Sequence, residues 1–127
     1  MLQQCLFVGI GGFFGAISRY LISTKVQVIS KSTVFPYGTL AVNFLGCLII
    51  GFLSGIVLSS NWLSLSMQNL LITGFLGALT TFSTFGFETY TLIRNRAVKL
   101  AVVNIFLQLV VGISLLYFGF YVACILF

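Results

Sequence analysis

Apolar residues form four long segments along the chain, at about residues 6–22, 36–58, 67–93 and 98–127, and the short stretches between them hold most of the charged residues. A helix needs about 20 mainly apolar residues to cross the hydrocarbon core of a bilayer. The pattern therefore predicts an all-α membrane protein with four transmembrane helices. With 127 residues in total, the four spans leave no room for a soluble domain, so we expect a single transmembrane domain.

Small residues recur at four-residue steps within the first two segments. Gly11 and Gly15 form one such pair, and Gly51 and Gly55 form another. Pairs of this kind let helix backbones approach closely in lipid. Pro36, the only proline, is placed to open the second helix. The short later connections predict antiparallel neighbours, so we expect a closely packed helical bundle.

The composition agrees with a membrane protein and argues against an enzyme. Charged residues make up only 6% of the chain, whereas a soluble domain has about 25%. The chain has no histidine, and Glu88 is its only acidic residue. A catalytic acid–base pair, a nucleophilic triad or a side-chain metal cluster cannot be built from this set. The cysteines lack CxxC spacing, and we expect small buried apolar side chains at Cys5, Cys47 and Cys124.

The basic residues lie in or beside the first and third connections of the chain. They are Arg19, Lys25, Lys31, Arg94, Arg96 and Lys99. These two connections lie on one face of the membrane, and the opposite face has no lysine or arginine in the sequence. The positive-inside rule then places both termini outside. Because the basic residues form no stripe, we do not expect nucleic-acid binding.

The third segment differs from the others because residues 77–86 hold four hydroxyl side chains and two glycines. Threonine and glycine are mediocre to poor helix formers, so this stretch predicts a break in the third helix. Backbone groups that a break sets free must be buried in protein, bind an ion or line a wet cavity. The alternative is a continuous helix whose hydroxyls bond back to its own carbonyls. Spacing alone leaves both structures open.

Polar residues of the third segment recur at three- or four-residue steps and form a track on one helix face. They are Thr73, Gly77, Thr80, Thr84, Glu88 and Thr91. Phe82 and Phe85 share a neighbouring face. An acidic residue within a span indicates function by default, and we expect Glu88 in a pore vestibule or at the membrane interface.

Amide side chains also lie inside the apolar segments. Asn43 in the second segment is either functional, because a polar group is costly there, or a hydrogen-bonding link between helices. Asn104 and Gln108 lie one turn apart in the fourth segment. For these two residues we expect the structural link.

Three stretches of the chain are similar to signatures of a known family. Residues 11–20 read GGFFGAISRY, residues 36–46 read PYGTLAVNFLG, and residues 74–85 read GFLGALTTFSTF. They resemble, in order, three signatures of the bacterial Fluc (CrcB) fluoride channel family, and the third is the most specific. The length and the number of spans also match, so the resemblance covers essentially the whole chain.

The resemblance implies an antiparallel dimer with two fluoride pores, each lined by both subunits, in the inner membrane of a bacterial cell. It implies a structural sodium ion at the centre, held by the main-chain carbonyls of Gly77 and Thr80. Glu88 would lie beside a vestibule. The implied role is the release of toxic cytoplasmic fluoride down its gradient.

The resemblance also implies which side chains line the fluoride pore. Phe82 and Phe85 would point their ring edges at the ion, and Asn43 would offer its amide N–H. Ser83 and Thr84 would continue the path with hydroxyl groups. The electropositive edge of an aromatic ring suits an anion that must bind weakly enough to leave again.

Two questions stay open at the level of the sequence. Dual-topology homodimers have nearly balanced lysine and arginine residues on the two membrane faces, but this chain has all six on one face. We therefore expect a partner that is either a second copy or a paralogous subunit of opposite orientation. The alternative function is a small multidrug-type, proton-coupled efflux subunit, which needs an acid in the first span that this chain lacks.

Overall fold

The computed structural model describes residues 1–60 and 62–127. Within these residues the chain is all-helical, and four helices are long and apolar enough to cross a membrane. They are α1 (Leu2–Ser30), α2 (Tyr37–Ser59), the third span (Leu65–Arg94) and the fourth span (Val98–Leu126). The predicted fold class of four transmembrane helices is confirmed at this level.

Helix α1 is longer than the apolar segment that predicts it. It continues through Lys25, which the hydropathy pattern assigns to a polar linker, and ends with Lys31 in the left-handed conformation (φ 53°). The 29 residues of α1 reach about 44 Å, more than the hydrocarbon core needs, so its polar end extends beyond the apolar layer. The linker stays helical because residues 21–30 contain neither glycine nor proline.

The connection after α1 is held by one side chain. Gln27 donates from Nε2 to the carbonyls of Ser32 (2.6 Å) and Phe35 (3.1 Å). Its Oε1 accepts from the N–H of Gly38 at 3.0 Å, in the first turn of α2. Gln27 therefore fixes the angle at which α2 enters the bundle.

The third span is not a uniform helix. It consists of α3 (Leu65–Gln68), a π-helical stretch (Asn69–Leu76), α4 (Gly77–Leu79) and α5 (Phe82–Arg94). Between α4 and α5, Thr80 (φ −83°, ψ 157°) and Thr81 (φ −152°, ψ 118°) have extended backbones. Helical geometry thus stops at Leu79 and resumes at Phe82, near the middle of the span.

The fourth span also contains a π-helical stretch. It consists of α6 (Val98–Phe106), a π-helical turn (Leu107–Val111) and α7 (Gly112–Leu126). A π-helical turn shifts the side chains that follow it relative to a regular α-helix. The faces on which the later residues of this span lie are therefore set partly by the π-helical turn.

The spans pack in two close pairs, α2 along α7 and α1 along the π-helical stretch of the third span. A Cβ atom at Gly51 would collide with the carbonyl oxygen of Leu116, and one at Gly15 would collide with that of Phe75. The predicted role of these glycines in close helix approach is confirmed.

Many large apolar side chains lie on the surface of the single chain, as expected where a helix faces lipid or another protein. The prediction of buried cysteines is wrong for Cys5 and Cys124, which are exposed, while Cys47 is half-buried. Cys5 lies near the start of α1, and Cys124 lies near the end of α7, where its Sγ accepts from the hydroxyl of Ser59 at 3.5 Å.

Candidate functional site

The interruption of the third span is paired with the side-chain amide of Asn43 on α2. The N–H of Thr81 donates to Asn43 Oδ1 at 2.8 Å, and Asn43 Nδ2 donates to the carbonyl oxygen of Thr81 at 3.1 Å. One amide thus supplies both hydrogen bonds that the extended Thr81 needs. A buried backbone group without a partner costs about 1–3 kcal/mol, so this pair stabilises the interruption.

Asn43 also connects to the fourth span. Its Nδ2 donates to Oε1 of Gln108 at 3.0 Å, and Gln108 lies within the π-helical turn Leu107–Val111. Among the described residues, the buried Nε2 of Gln108 has no hydrogen-bond partner. Gln108 therefore links two helices through its oxygen, as predicted, and in addition leaves an amide nitrogen unpaired.

The first turn of α5 is capped by the hydroxyl of Thr81. This hydroxyl accepts from the N–H of Thr84 at 3.2 Å and donates to the Thr84 hydroxyl at 3.0 Å. It also lies 3.3 Å from the hydroxyl of Ser83. Threonine is a favourable N-cap residue, and the N-terminus of a helix carries a partial positive charge. The predicted pore residues of this stretch therefore lie at the electropositive end of α5.

The hydrogen bonds donated by the N–H groups of Thr81 and Thr84 also leave two carbonyls, those of Gly77 and Thr80, without their helical donors. In a continuous helix, Gly77 O would accept from the N–H of Thr81, and Thr80 O from that of Thr84. Here the first N–H donates to Asn43 and the second to the Thr81 hydroxyl. Gly77 is exposed and Thr80 is half-buried, with its hydroxyl bonded back to Leu76 O at 3.0 Å. Both carbonyls predicted to hold sodium thus lack their helical donors.

A cavity of about 290 Å³ opens beside the interruption, and we call it the smaller cavity. Its lining includes Asn43, Thr80, Phe82, Phe85, Gln108 and Cys47. The rings of Phe82 and Phe85 meet edge to face, with centroids 5.5 Å apart and planes at 63°. Phe85 is buried, whereas Phe82 is 79% exposed and projects away from the chain.

A larger cavity of about 560 Å³ lies nearer the first and third connections. Its lining includes Glu88, Thr39, Thr84, Thr91 and Ser23. Glu88 Oε1 accepts from the hydroxyl of Thr39 at 2.7 Å, and its buried Oε2 has no hydrogen-bond partner among the described residues. Neither cavity lining contains a lysine or an arginine within the described chain.

The predicted polar track is divided between these two cavities. Thr80 lines the smaller cavity, whereas Thr84, Glu88 and Thr91 line the larger one, and Thr73 is exposed on the π-helical stretch. The two extended residues separate the track because they interrupt the helical repeat that would keep it on one face.

Asn104 has the linking role that the sequence predicted. It is fully buried, and its Nδ2 donates to the hydroxyl of Thr89 at 3.0 Å. Sequence reasoning missed Thr39 and the capping role of Thr81. Thr39 lies four residues before Asn43 and so on the same face of α2, which could have predicted that it faces the third span as Asn43 does.

Comparison with known proteins gives a consistent result. The family model described as "CrcB-like protein, Camphor Resistance (CrcB)" matches residues 6–120. A protein of a Nitratiruptor species, named fluoride-specific ion channel FluC, is 52% identical over 107 residues, covering 84% of this chain and 81% of the relative. The protein of that name from Chlorobium phaeobacteroides is 42% identical over 118 residues, covering 93% and 91%. The one from Methanocaldococcus jannaschii is 42% identical over 127 residues, covering 100% and 99%.

Proposed function

The chain belongs to the CrcB family, and because its relatives are named fluoride-specific ion channels, we propose that it is a fluoride channel subunit. It lets cytoplasmic fluoride leave the cell down its gradient and so protects against fluoride toxicity. The family comprises ion channels rather than enzymes, and the relatives give no support to a proton-coupled efflux subunit.

The observation that carries the proposal is the smaller cavity beside an interrupted membrane helix. It combines two phenylalanine rings, two side-chain amides and the N-terminus of α5. These groups offer a small anion several weak electropositive contacts. Conduction requires binding that is strong enough for entry and weak enough for release, and a cavity without a fixed cation fits that requirement.

The fluoride path that we propose is lined by the predicted residues, and it continues from the smaller to the larger cavity. Asn43, Phe82 and Phe85 line the first part, and the hydroxyls of Ser83 and Thr84 lie where the path passes the start of α5. Thr84 supports this connection because it is bonded to Thr81 in the smaller cavity and lines the larger one. The larger cavity then serves as the vestibule, with Glu88 in its wall.

We propose that a second copy of the third span completes the path. Gly77, Phe82 and Ser83 are all exposed on the single chain. These residues flank the extended Thr80 and Thr81, and the carbonyls of Gly77 and Thr80 lack their helical donors. Backbone groups without partners are costly in the hydrocarbon region, which favours a protein surface over this stretch. We propose an antiparallel dimer, either with an identical chain or with a paralogue of opposite orientation, in the cell membrane.

We propose a structural sodium ion where the two interrupted spans meet. Gly77 O and Thr80 O lack their helical donors because Thr81 N–H and Thr84 N–H are bonded elsewhere. Sodium is a hard cation that prefers oxygen ligands, and carbonyl oxygens from two chains provide such a set. The ion would join the two subunits and add positive potential beside the anion path.

Purified protein in liposomes tests the proposed function. Vesicles loaded with fluoride should release it rapidly, as read by a fluoride electrode, while matched vesicles loaded with chloride should release almost none. Phe82→Ile and Phe85→Ile should each lower fluoride release roughly tenfold or more, because an aliphatic side chain has no electropositive ring edge. Wild-type vesicles that retain fluoride as protein-free vesicles do would disprove the channel.

A further inference from the structure

The first turn of α2 is capped by a side chain of α1 rather than by its own N-cap residue. Pro36 stands at the N-cap position and makes no side-chain hydrogen bond there. The N–H of Gly38, in the first turn, has no acceptor within the helix and donates instead to Gln27 Oε1 at 3.0 Å. Gln27 therefore does for α2 what a serine or an aspartate at the N-cap position does in many helices.

All the polar groups of the Gln27 side chain are used within this part of the chain. Its Nε2 donates to the carbonyls of Ser32 (2.6 Å) and Phe35 (3.1 Å), which accounts for both of its N–H groups. Phe35 is buried, and its N–H donates to the Ser32 hydroxyl at 2.9 Å. One side chain thus joins the end of α1, the connection and the start of α2 in a single hydrogen-bonded unit.

The position of the first turn of α2 is passed on to a contact with α5. A Cβ at Gly38 would collide with the carbonyl oxygen of Ser23, so the start of α2 lies directly on the backbone of α1. The next residue, Thr39, is buried and donates from its hydroxyl to Glu88 Oε1 at 2.7 Å. A first turn released from Gln27 would therefore move Thr39 relative to Glu88.

These residues surround the larger cavity, whose lining includes Gln27, Phe35, Gly38, Thr39 and Glu88. The inference rests on the proposed function, in which this cavity is the vestibule of the fluoride path. We propose that Gln27 is a positioning residue for the vestibule: through Gly38 it holds the Thr39 hydroxyl against Glu88 and so shapes the wall that fluoride passes. Gln27 does not itself bind the ion, because both of its N–H groups are already used.

The carboxyl group of Glu88 reports on this contact without any measurement of transport. Glu88 is the only glutamate in the chain, so a glutamate-specific ¹³C label gives one isotope-shifted side-chain carboxyl band in the infrared spectrum of the protein in lipid. Thr39→Val keeps the shape of the side chain but removes the hydroxyl, and it should shift this band. Gln27→Met should shift the band to the same position, although the hydrogen bonds of Gln27 go to other residues.

Gln68 provides the matched control, because it also holds a connection but lines neither cavity described above. Its Nε2 donates to the carbonyl of Leu63 at 2.9 Å, before the third span begins. Gln68→Met should leave the Glu88 band in its wild-type position. The proposal is overturned if the band of Gln27→Met stays in the wild-type position, differs from that of Thr39→Val, or is matched by that of Gln68→Met.

A milder substitution covers the case in which Gln27→Met does not fold. Gln27→Asn keeps an amide but withdraws it from Gly38 by about 1.5 Å, the length of one carbon–carbon bond. The Glu88 band should then move toward its position in Thr39→Val. A band that does not move in Gln27→Asn would overturn the proposal in that case.

Fluoride release from liposomes tests whether this positioning matters for the path. Gln27→Met should lower release about threefold or more, and Gln68→Met should stay within about twofold of wild type. Because Gln27 acts through Thr39, Gln27→Met should lower release by less than about 1.5-fold when Thr39→Val is already present. A larger loss in that background, or a loss of less than about threefold in the wild-type background, would overturn the proposal.

The two measurements separate this inference from the function on which it rests. If wild-type protein releases no fluoride, the proposed function fails, while the Glu88 band still shows whether Gln27 positions Thr39. If wild-type protein releases fluoride and Gln27→Met does so equally well, the channel stands and only the role of Gln27 in the vestibule is wrong.

Discussion

Two asparagines that look alike in the sequence have different surroundings in the structure. Asn43 and Asn104 each lie within an apolar helix and each bond to the third span. Asn104 meets a hydroxyl on the regular helix α5 and is fully buried without lining either cavity described above. Asn43 meets the main chain of Thr81, where helical geometry stops, and lines the smaller cavity.

The difference shows what makes a buried amide more than a link between helices. Around Asn104, both helices satisfy their own backbones, so the side-chain hydrogen bond adds only a local contact. Around Asn43, the amide replaces hydrogen bonds that the backbone itself has lost at Thr81. Its removal therefore affects the geometry of the interruption, and with it every group that depends on that geometry.

Substitution of Asn43 by leucine should produce the largest effect. Both polar groups of the buried Thr81 backbone lose their partner, at about 1–3 kcal/mol each. We expect the free energy of unfolding to fall by about 2–5 kcal/mol and fluoride release to fall at least tenfold. Thermal unfolding in detergent and electrode-recorded release measure the two effects. A leucine variant with wild-type stability and release would mean that Asn43 is no more than a link.

The sequence predicted the features that depend on hydropathy and on local spacing. Four apolar segments became four helices, and Gly15 and Gly51 lie where backbones approach closely. The end of α1 was predicted less accurately. Gln27 holds the connection between α1 and α2 through hydrogen bonds to groups up to eleven residues away, which a local pattern does not reveal. Nothing in the local sequence around Gln27 indicates these hydrogen bonds.

The hydrogen bonding of Gln108 was predicted only in part, and the reason is physical. Sequence periodicity assumes a regular helix, but Gln108 lies in a π-helical turn that changes its direction. The orientation of its amide depends on Asn43, and that of Asn43 depends on the extended backbone of Thr81. These orientations depend on tertiary contacts among the second, third and fourth spans, so they cannot be predicted from the sequence of any one span.

A methyl group added near the interruption should have an intermediate effect. A Cβ at Gly46 would collide with Cγ2 of Thr80, whose hydroxyl is held by Leu76 O. We expect Gly46→Ala to lower the free energy of unfolding by about 1–3 kcal/mol and to reduce fluoride release, because Thr80 must move. Gly112→Ala is the matched control, since its Cβ would lie 3.5 Å from Cys47 Sγ, an ordinary contact. If Gly46→Ala and Gly112→Ala have the same stability and the same fluoride release, the interruption tolerates a displaced Thr80 and this prediction is wrong.

The smallest effect should come from the Asn104 region. Asn104→Leu combined with Thr89→Val removes both partners of a buried hydrogen bond and also the Asn104 Oδ1 atom, which has no partner among the described residues. Replacing both partners by apolar groups of similar shape is nearly neutral, so the double variant should stay within about 1 kcal/mol of wild-type stability. Fluoride release should stay within about twofold of wild type, because α5 keeps its own backbone hydrogen bonds. If release instead falls as far as in Asn43→Leu, Asn104 belongs to the same functional unit, and the distinction between a linking amide and one that supports the interruption is wrong.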